Sequence, residues 1–445
     1  MRNKRKAVLI CSLILTGISL LGFSNALAEN LKEIYQLAVE KDPVIKQAAA
    51  SRQAIEESRL QSRAALLPNI NFSANTTENS EDRTFGNPTF SGNEDYNSHG
   101  YSLSLVQPIY HHEYYVQLRQ AKAGIRAATA TYSSAEQNLI VRVAEAYFNV
   151  LAAIDNLEFA RAEKNAIARQ LEQTKQRFEV GLIAITDVHE SQAAFDLSVA
   201  GEINAQNQLS SAREALSEIT NSSHKLLSPL TDKMPLVSPD PQDIDQWTET
   251  ALKQNYQLIA SRANLEATRE EVNRNRAGHY PTLDLVANRS NSNSDGGSLG
   301  GSDIDNTSIS LQLNVPLYQG GLTSSQTREA RYLLEGAKES VIEQRRAVKR
   351  QTRDAYLTVQ ATISRVKALN QALVSTQSAL SAAEAGLEVG TRTTVDVLAS
   401  RRELFRAQRD FSRARYDYVI NSLRLKLAAG LVSQNDIDDI NNWLE

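Results

Sequence analysis

The chain has 445 residues, and its 48 lysine and arginine residues against 52 acidic residues give a net charge of −4. This balance excludes the concentrated basic surface expected of a nucleic-acid-binding protein. The one cysteine, Cys11, lies near the N-terminus, so the remainder of the chain has no disulfide and no cysteine ligand for a metal.

Residues 1–28 have the pattern of a secretory signal peptide. Four basic residues precede an apolar run from Ala7 to Phe23, and the small-residue motif Ala26-Leu27-Ala28 follows it. A single membrane anchor is the alternative, but the apolar run is short and a cleavage motif follows. We therefore predict an exported protein that begins near Glu29. Its net charge is −8, because the signal peptide carries four basic residues and no acid.

The sequence repeats itself at a separation of about 210 residues, which indicates an internal duplication. The repeated motifs keep their order along the chain. Leu67-Pro68 matches Tyr280-Pro281, Pro108-Ile109-Tyr110 matches Pro316-Leu317-Tyr318, Ala146-Tyr147 matches Ala355-Tyr356, and Glu179-Val180-Gly181 matches Glu388-Val389-Gly390. We predict two structural units at 29–221 and 244–430, a proline-rich linker at 222–243 and a peripheral segment at 431–445.

Each unit is predicted to contain a helix, a strand hairpin, a very long helix and a shorter helix, in that order. The predicted helices are 31–66, 113–180 and 185–220 in the first unit and 244–278, 322–388 and 394–429 in the second. The hairpins are predicted at about 69–107 and 282–315. The longest helices would each span about 100 Å. Apolar residues at steps of three and four indicate a coiled-coil seam, so the two shorter helices should stack end to end beside the long one.

The predicted strands alternate apolar and polar residues, so each has one apolar face and one polar face. Such strands suit a half-exposed soluble sheet or a transmembrane β-barrel with a water-filled lumen. The signal peptide and flanking tyrosines favour the barrel, since aromatic residues mark membrane interfaces. The few strands of one chain cannot close a barrel, so subunits must share it as a dimer with eight strands or a trimer with twelve. The polar segments 78–99 and 289–307 are predicted to be exposed outer loops.

Four sequence runs carry a family resemblance. They are Ala-Tyr-Phe-Asn-Val-Leu at 146–151, Phe-Glu-Val-Gly-Leu-Ile-Ala-Ile-Thr-Asp-Val at 178–188, Pro-Leu-Tyr-Gln-Gly-Gly at 316–321 and Val-Gly-Thr-Arg-Thr-Thr-Val-Asp-Val-Leu at 389–398. They resemble the TolC family of outer-membrane efflux proteins, and the resemblance covers essentially the whole chain after the signal peptide. It implies a mostly α-helical fold, in which a long coiled-coil helical barrel is joined to a transmembrane β-barrel shared between three subunits.

The resemblance also implies what such a protein does. Family members are passive exit ducts of tripartite efflux pumps and of type I secretion. The implied protein is a homotrimer in contact with outer-membrane lipid that reaches into the periplasm. Its implied partners are a periplasmic adaptor and an inner-membrane transporter, and the transporter selects the substrate.

In this family, acidic rings narrow the periplasmic tip of the tunnel. Asp396 matches the first acid, whereas Ala399 occupies the second position and departs from the pattern. Glu190 is the counterpart of Ala399 in the first unit, and we hypothesise that it restores some of the lost acidity. The alternative for Glu190 is a solvated surface glutamate. Asp187 and Asp396 also lie in the first turn of a predicted helix, where a carboxylate stabilises the helix dipole without any other function.

In this family an arginine and a tyrosine reach a Thr-Asp pair on the neighbouring helical hairpin and hold the tip closed. We call these residues the latch. Arg392, Thr186 and Asp187 match latch residues, but Leu387 stands where the family has a tyrosine and cannot form a side-chain hydrogen bond. Two turns match the regions where the family docks its adaptor, and their glycines equally suit helix C-caps. The turns are Val180-Gly181-Leu182 and Val389-Gly390-Thr391.

Other functions receive less support from the sequence. His111-His112-Glu113 suggests a metal cluster, but these residues lack the i and i+4 spacing of helical metal ligands, and we place them where barrel meets helix. No metal or cofactor is predicted. A Gly-rich phosphate loop and the His-Glu-x-x-His and Gly-x-Ser-x-Gly motifs are absent, which argues against an enzyme. An adhesive trimeric coiled coil would carry its strands at the C-terminus, and a periplasmic adaptor would lack two alternating hairpins.

Overall fold

The computed structural model describes residues 28–84, 92–231, 234–297 and 300–444. The predicted signal peptide lies outside these residues, apart from Ala28. The helices are α1 (Leu31–Lys41), α2 (Pro43–Ala64), α3 (His112–Glu179), α4 (Ile185–Thr220), α5 (Ile244–Gln254), α6 (Tyr256–Ala277), α7 (Leu322–Glu388), α8 (Thr394–Ala429) and α9 (Gln434–Asn441). The strands are β1 (Asn69–Arg83), β2 (Gly92–Tyr110), β3 (Thr282–Ser294) and β4 (Ser302–Asn314).

The first predicted helix is broken between α1 and α2. Asp42 has an extended ψ of 122°, and Pro43 is the first residue of α2. Proline has no N–H to donate to the preceding turn, and Asp42 Oδ2 caps α2 by accepting from Ile45 N at 3.1 Å. The Arg142 guanidinium of α3 lies 2.6 Å from this buried carboxylate. The prediction of one helix over 31–66 is therefore wrong, because Pro43 begins a new helix.

The second unit has the same break without a proline. Asn255 has a ψ of 119°, and its Oδ1 accepts from Leu258 N at 3.2 Å. Its Nδ2 donates to Ala428 O at 3.1 Å. Gly430 ends α8 at a φ of +75°, and a Cβ there would lie 2.5 Å from Gln254 O. The helix predicted over 244–278 is thus also two helices, and the end of α8 packs into the break.

The strands form one antiparallel sheet in the order β1-β2-β3-β4, so β2 and β3 join the hairpins of the two units. The strands continue far into the segments predicted as loops, where Arg83 pairs with Gly92 and Ser294 pairs with Ser302. The loop prediction is therefore wrong for most of 78–99 and 289–307. Backbone pairing across the sheet overrides the weak strand preference of asparagine, serine and aspartate.

The helices form four columns. The long helix α3 contacts α2, α4, α6 and α8, whereas the long helix α7 packs against α5, α6 and α8. The described helices therefore lie in the order α2/α4, α3, α6/α8, α7, with α7 and α2/α4 at the two edges. The shorter helices of each unit lie along its long helix, as the sequence predicts.

The main apolar core lies around the middle of the helical columns. Tyr147 and Phe148 of α3 are fully buried, and the Phe148 ring lies 5.7 Å from that of Tyr416 in α8. The linker crosses this core, and the Tyr147 hydroxyl donates to Ser228 O at 2.8 Å. Among the described residues, no helix is both long enough and apolar enough to cross a membrane.

Candidate functional site

The long helices of both units end in turns of the same conformation. Val180 and Val389 both have a φ of −92°, and the glycines that follow have φ values of +76° and +78°. Leu182 N donates to Arg177 O at 2.9 Å, and Thr391 N donates to Gly386 O at 2.9 Å. Left-handed glycines with this bond pattern satisfy the last carbonyls of a helix. The duplication therefore places two equivalent turns at the end of the helical columns remote from the sheet.

The two turns expose apolar side chains. Val180, Leu182 and Val389 are 70%, 69% and 75% exposed, respectively. Gly181, Gly390 and Thr391 are also exposed. The apolar side chains of these turns are therefore not part of the core.

Asp396 closes a capping box at the start of α8. Its Oδ2 accepts from Thr393 N at 2.9 Å and from Thr393 Oγ1 at 3.0 Å, while Asp396 N donates back to Thr393 Oγ1 at 3.2 Å. The Thr393 backbone N–H and hydroxyl, with the Arg392 guanidinium, hold the pKa of Asp396 below its ordinary value of 3.8. This carboxylate is therefore negatively charged and fixed in orientation within one chain.

The matching acids of the first unit are not fixed in this way. Ala184 occupies the N-cap of α4 and has no side-chain acceptor, so no capping box forms with Asp187. Glu190 is exposed one turn later, and Ala399 is exposed at the corresponding position of α8. Neither Asp187 nor Glu190 forms a side-chain hydrogen bond or ion pair with another described residue. The two units therefore present one immobilised carboxylate and two free carboxylates.

Among the described residues of one chain, Arg392 does not bond to the other two proposed latch residues. Neither Thr186 nor Asp187 forms a hydrogen bond or ion pair with Arg392 in the part of the chain that is described. Instead, the Arg392 side chain lies over Gly386, where a Cβ would be 2.6 Å from Arg392 Cγ. Leu387 packs against the cluster that contains Val397. Its apolar side chain therefore contributes to packing between α7 and α8.

A contact between the two helical hairpins, α3–α4 and α7–α8, was not predicted from the sequence. Arg401 of α8 donates through Nη2 to Glu384 of α7 at 2.6 Å and through Nη1 to Ala166 O of α3 at 3.0 Å. Beside it, Leu398 of α8 packs with Ile167 of α3 in a small apolar cluster. Arg401 thus links three helices near the tip. Nothing in its spacing distinguishes it from the other arginines of α8.

The sheet at the other end has an apolar face with large exposed side chains. Ile70 pairs with Leu105, and Ala287 pairs with Ile309, so these residues form one row across the sheet. On the same face, Phe72, Leu311 and Leu313 are 65%, 64% and 66% exposed. The opposite face carries serine and asparagine residues such as Asn71, Ser104 and Asn288, together with Val106 and Val286. One chain alone therefore exposes an apolar surface that water does not favour.

The segment at 111–113 joins the sheet to α3. His111 Nε2 lies 2.9 Å from Asp284 Oδ1 of β3, and its ring stacks on Tyr114 at 4.6 Å. Among the described residues, no group of three or more histidine, cysteine or acidic side chains is arranged to hold a metal ion. His111, the N-cap residue of α3, therefore connects the start of this helix to strand β3 of the second unit.

Comparison with solved structures confirms the fold. The fold matches the outer-membrane channel CmeC of Campylobacter jejuni with a TM-score of 0.76 at 17% identity, over 94% of this chain and 90% of that one. The long helices with their paired turns and the four-stranded antiparallel sheet thus belong to the fold that this channel also has.

Sequence comparison gives the family. The model of the outer membrane efflux protein family matches residues 34–222 and 247–431, one match for each unit. The chain is 42% identical to the outer membrane protein TolC of Vibrio cholerae, over 94% of each protein. It is 30% identical to the alkaline protease secretion protein AprF of Pseudomonas aeruginosa, over 93% of this chain and 87% of that protein. The chain belongs to the outer membrane efflux protein family and is an outer-membrane channel of the efflux and secretion type.

Proposed function

We propose that this chain assembles as a homotrimer into a passive exit duct, closed at its periplasmic tip and opened when a periplasmic adaptor and an inner-membrane transporter engage it. The observation that carries the proposal is the sheet, whose edge strands β1 and β4 each pair on one side only within the described residues. Three copies would supply twelve strands, and pairing of β4 with β1 of the next copy would leave no open edge in lipid.

The helical columns support the same assembly. On the edge column α7, Tyr332 and Leu333 are 76% and 59% exposed, and on the opposite edge Leu197 and Ile203 of α4 are 67% and 64% exposed. Apolar residues at both edges suit packing of one copy against the next around a tunnel. The outward apolar face of the sheet would then contact membrane lipid.

The tip would hold the gate. Three copies of Asp396 around a narrow opening would attract cations, and Glu190 would add acidity where Ala399 adds none. Arg392 would reach Thr186 and Asp187 in the helical hairpin α3–α4 of a neighbouring copy. Within one chain, no bond between Arg392 and these two residues is present among the described residues. Leu387 would supply packing in place of a hydrogen bond.

The exposed turns would form the docking surface for the adaptor. The surface consists of Val180, Gly181 and Leu182 in the first unit and Val389, Gly390 and Thr391 in the second. Because the turns share one conformation, a single type of adaptor element could engage both. The chain has no catalytic role in this proposal, so the energy for transport comes from the transporter.

The test is single-channel conductance of the purified protein in a planar bilayer, with a multivalent cation added from each side in turn. We expect small, cation-selective openings that are blocked more strongly from the tip side. Asp396→Ala should weaken the block, whereas Asp196→Ala, which removes an exposed acid farther along α4, should leave it unchanged. Equal block from both sides, or the same block in Asp396→Ala, would contradict a gate at the tip.

A further inference from the structure

A cavity of about 470 Å³ lies between the linker, α5, α7, α8 and α9, at the middle of the helical columns. Its walls include Trp247 and Trp443, which are the only two tryptophans of the chain, and Tyr418. It lies about 33 Å along α8 from Asp396, since 22 residues separate Asp396 from Tyr418. It is therefore remote from the proposed gate and from the sheet.

The apolar walls of this cavity are held rigidly. The Tyr418 hydroxyl accepts from Val237 N at 2.9 Å and donates to Val237 O at 3.0 Å, which fixes the linker against α8. Trp247 is 6% exposed, and its Nε1 donates to Pro241 O at 2.8 Å. The hydrogen bonds of both rings are thus satisfied, and both rings contribute apolar surface to the cavity wall. A volume of this size suits a small organic ligand.

The charges around the cavity favour a cation. Among the described residues that line it, Lys426 is the one basic residue. Lys426 pairs with the buried Asp436, which also accepts from Ser433 N at 2.8 Å. Asp240 and Asp439 are exposed at the rim, and neither has a hydrogen bond or ion pair with another described residue. The described lining therefore carries two uncompensated negative charges beside aromatic walls, an arrangement that attracts cations electrostatically and through the aromatic rings.

We propose that this cavity, which we call the linker pocket, binds an organic cation with an apolar or aromatic body. The body would lie against Trp247, Trp443 and Tyr418, and the positive group would lie near Asp240 and Asp439. The site does not depend on the proposed gate, so it would act as a ligand site on the wall of the channel protein and not as part of the duct.

The chain offers a direct readout, because both tryptophans line the linker pocket. The experiment titrates the full-length oligomer in a non-ionic detergent with ethidium, a planar aromatic cation, and follows quenching of tryptophan fluorescence. We expect saturable quenching with one site per chain. An anionic aromatic dye, anilinonaphthalene sulfonate, should bind at least about tenfold more weakly, since two carboxylates repel it.

The matched variant is Asp240→Asn/Asp439→Asn, which removes both charges with little change in shape. Both residues are exposed and unpaired, so the fold should be unaffected. We expect ethidium to bind about five- to tenfold more weakly, because the variant loses two partly exposed charge pairs and each such pair contributes little binding energy. The control, Glu343→Gln, removes an exposed acid from α7 and should change nothing. Three outcomes would each overturn the proposal. The first is equal affinity for ethidium and the anionic dye, and the second is an unchanged ethidium affinity in the double variant. The third is an absence of quenching because a neighbouring copy covers the pocket.

Channel conductance separates this proposal from the proposed function. The double variant should conduct as the wild type does, because the linker pocket lies away from the gate. If the conductance experiment fails while ethidium still binds in a charge-dependent way, the linker pocket stands and the duct proposal falls.

Discussion

The Nδ1 atom of His224 lies 2.6 Å from the Oε2 atom of Glu29, the residue at which the mature chain is predicted to begin. The His224 side chain is fully buried, and its Nε2 lies 2.6 Å from Thr220 Oγ1 at the end of α4. Glu29 also forms a parallel bridge with Leu227 of the linker. One histidine thus connects the start of the chain, the end of the first unit and the linker.

We expect His224→Ala to lower the free energy of unfolding by about 2–3 kcal/mol, because the substitution leaves a cavity and removes a charge-assisted hydrogen bond. Thermal unfolding followed by circular dichroism would measure the loss. His189→Ala is the control, since His189 is exposed on α4. Equal melting temperatures for the two variants would show that Glu29 is held by its backbone bonds alone.

Gly430 is expected to be intolerant of a side chain. Gly430→Ala should destabilise the protein by about 2–4 kcal/mol, because its φ of +75° is strained for alanine and the new Cβ would lie 2.5 Å from Gln254 O. Gly124→Ala in α3 is the matched control: nothing lies within 4 Å of its Cβ position, and alanine favours a helix. If both variants melt alike, the close packing of α8 against the α5–α6 break does not limit stability.

The proposed acid ring predicts the effect of restoring the second acid. Ala399→Asp should strengthen block by a multivalent cation in a planar bilayer, because it adds one exposed carboxylate per chain, one turn beyond Asp396. Ala399→Asn has the same shape without the charge and should leave the block as it is in the wild type. A stronger block in both variants would mean that side-chain size, and not charge, controls the opening.

The capping box at Asp396 predicts a pH dependence at the start of α8. Its pKa is lower in the folded protein than the ordinary 3.8, so it stabilises the folded turn fully above pH 3.8, and this contribution is lost as the pH falls through the lower, folded pKa. The capping box bonds the backbone N–H groups of Thr393 and Asp396. Their amide exchange, corrected for intrinsic rates, should therefore accelerate on acidification in the wild type. Asp396→Asn should exchange faster at neutral pH and show no such acceleration. An identical pH profile in both proteins would rule out the capping box as the cause.

Gly386 positions the Arg392 side chain, and this makes the latch testable without removing a latch residue. A Cβ at Gly386 would lie 2.6 Å from Arg392 Cγ, so Gly386→Ala should displace the arginine. If Arg392 holds the tip closed, both Gly386→Ala and Arg392→Ala should raise conductance substantially. Gly201→Ala, at an exposed and unobstructed position of α4, is the control. An unchanged conductance in Arg392→Ala would assign the closed state to coiled-coil packing around Leu387 and Val397.

The pattern of the sequence predicted the main elements closely. The long helix predicted at 113–180 is α3 at 112–179, and the one predicted at 322–388 is α7 over the same residues. These predictions succeed because a helix of this length depends on local preference and on apolar residues at steps of three and four. The glycine turns could be predicted for the same reason, since a left-handed residue at a helix end is a local requirement.

Tertiary structure decided what depends on residues far apart in the chain. The polar stretches before Arg83 and after Ser302 become strands only because partner strands supply backbone hydrogen bonds. No proline marks the helix break at Asn255 in the sequence. The break is stabilised by the hydrogen bond from Asn255 Nδ2 to Ala428 O, 173 residues away. Arg401 and the linker pocket likewise arise from helices of different units. The sequence by itself determined the duplication, the long helices, the turns and the family, because these depend on neighbouring residues. Only the folded chain decided which side chains meet across the columns, because burial and pairing join residues that no local pattern relates.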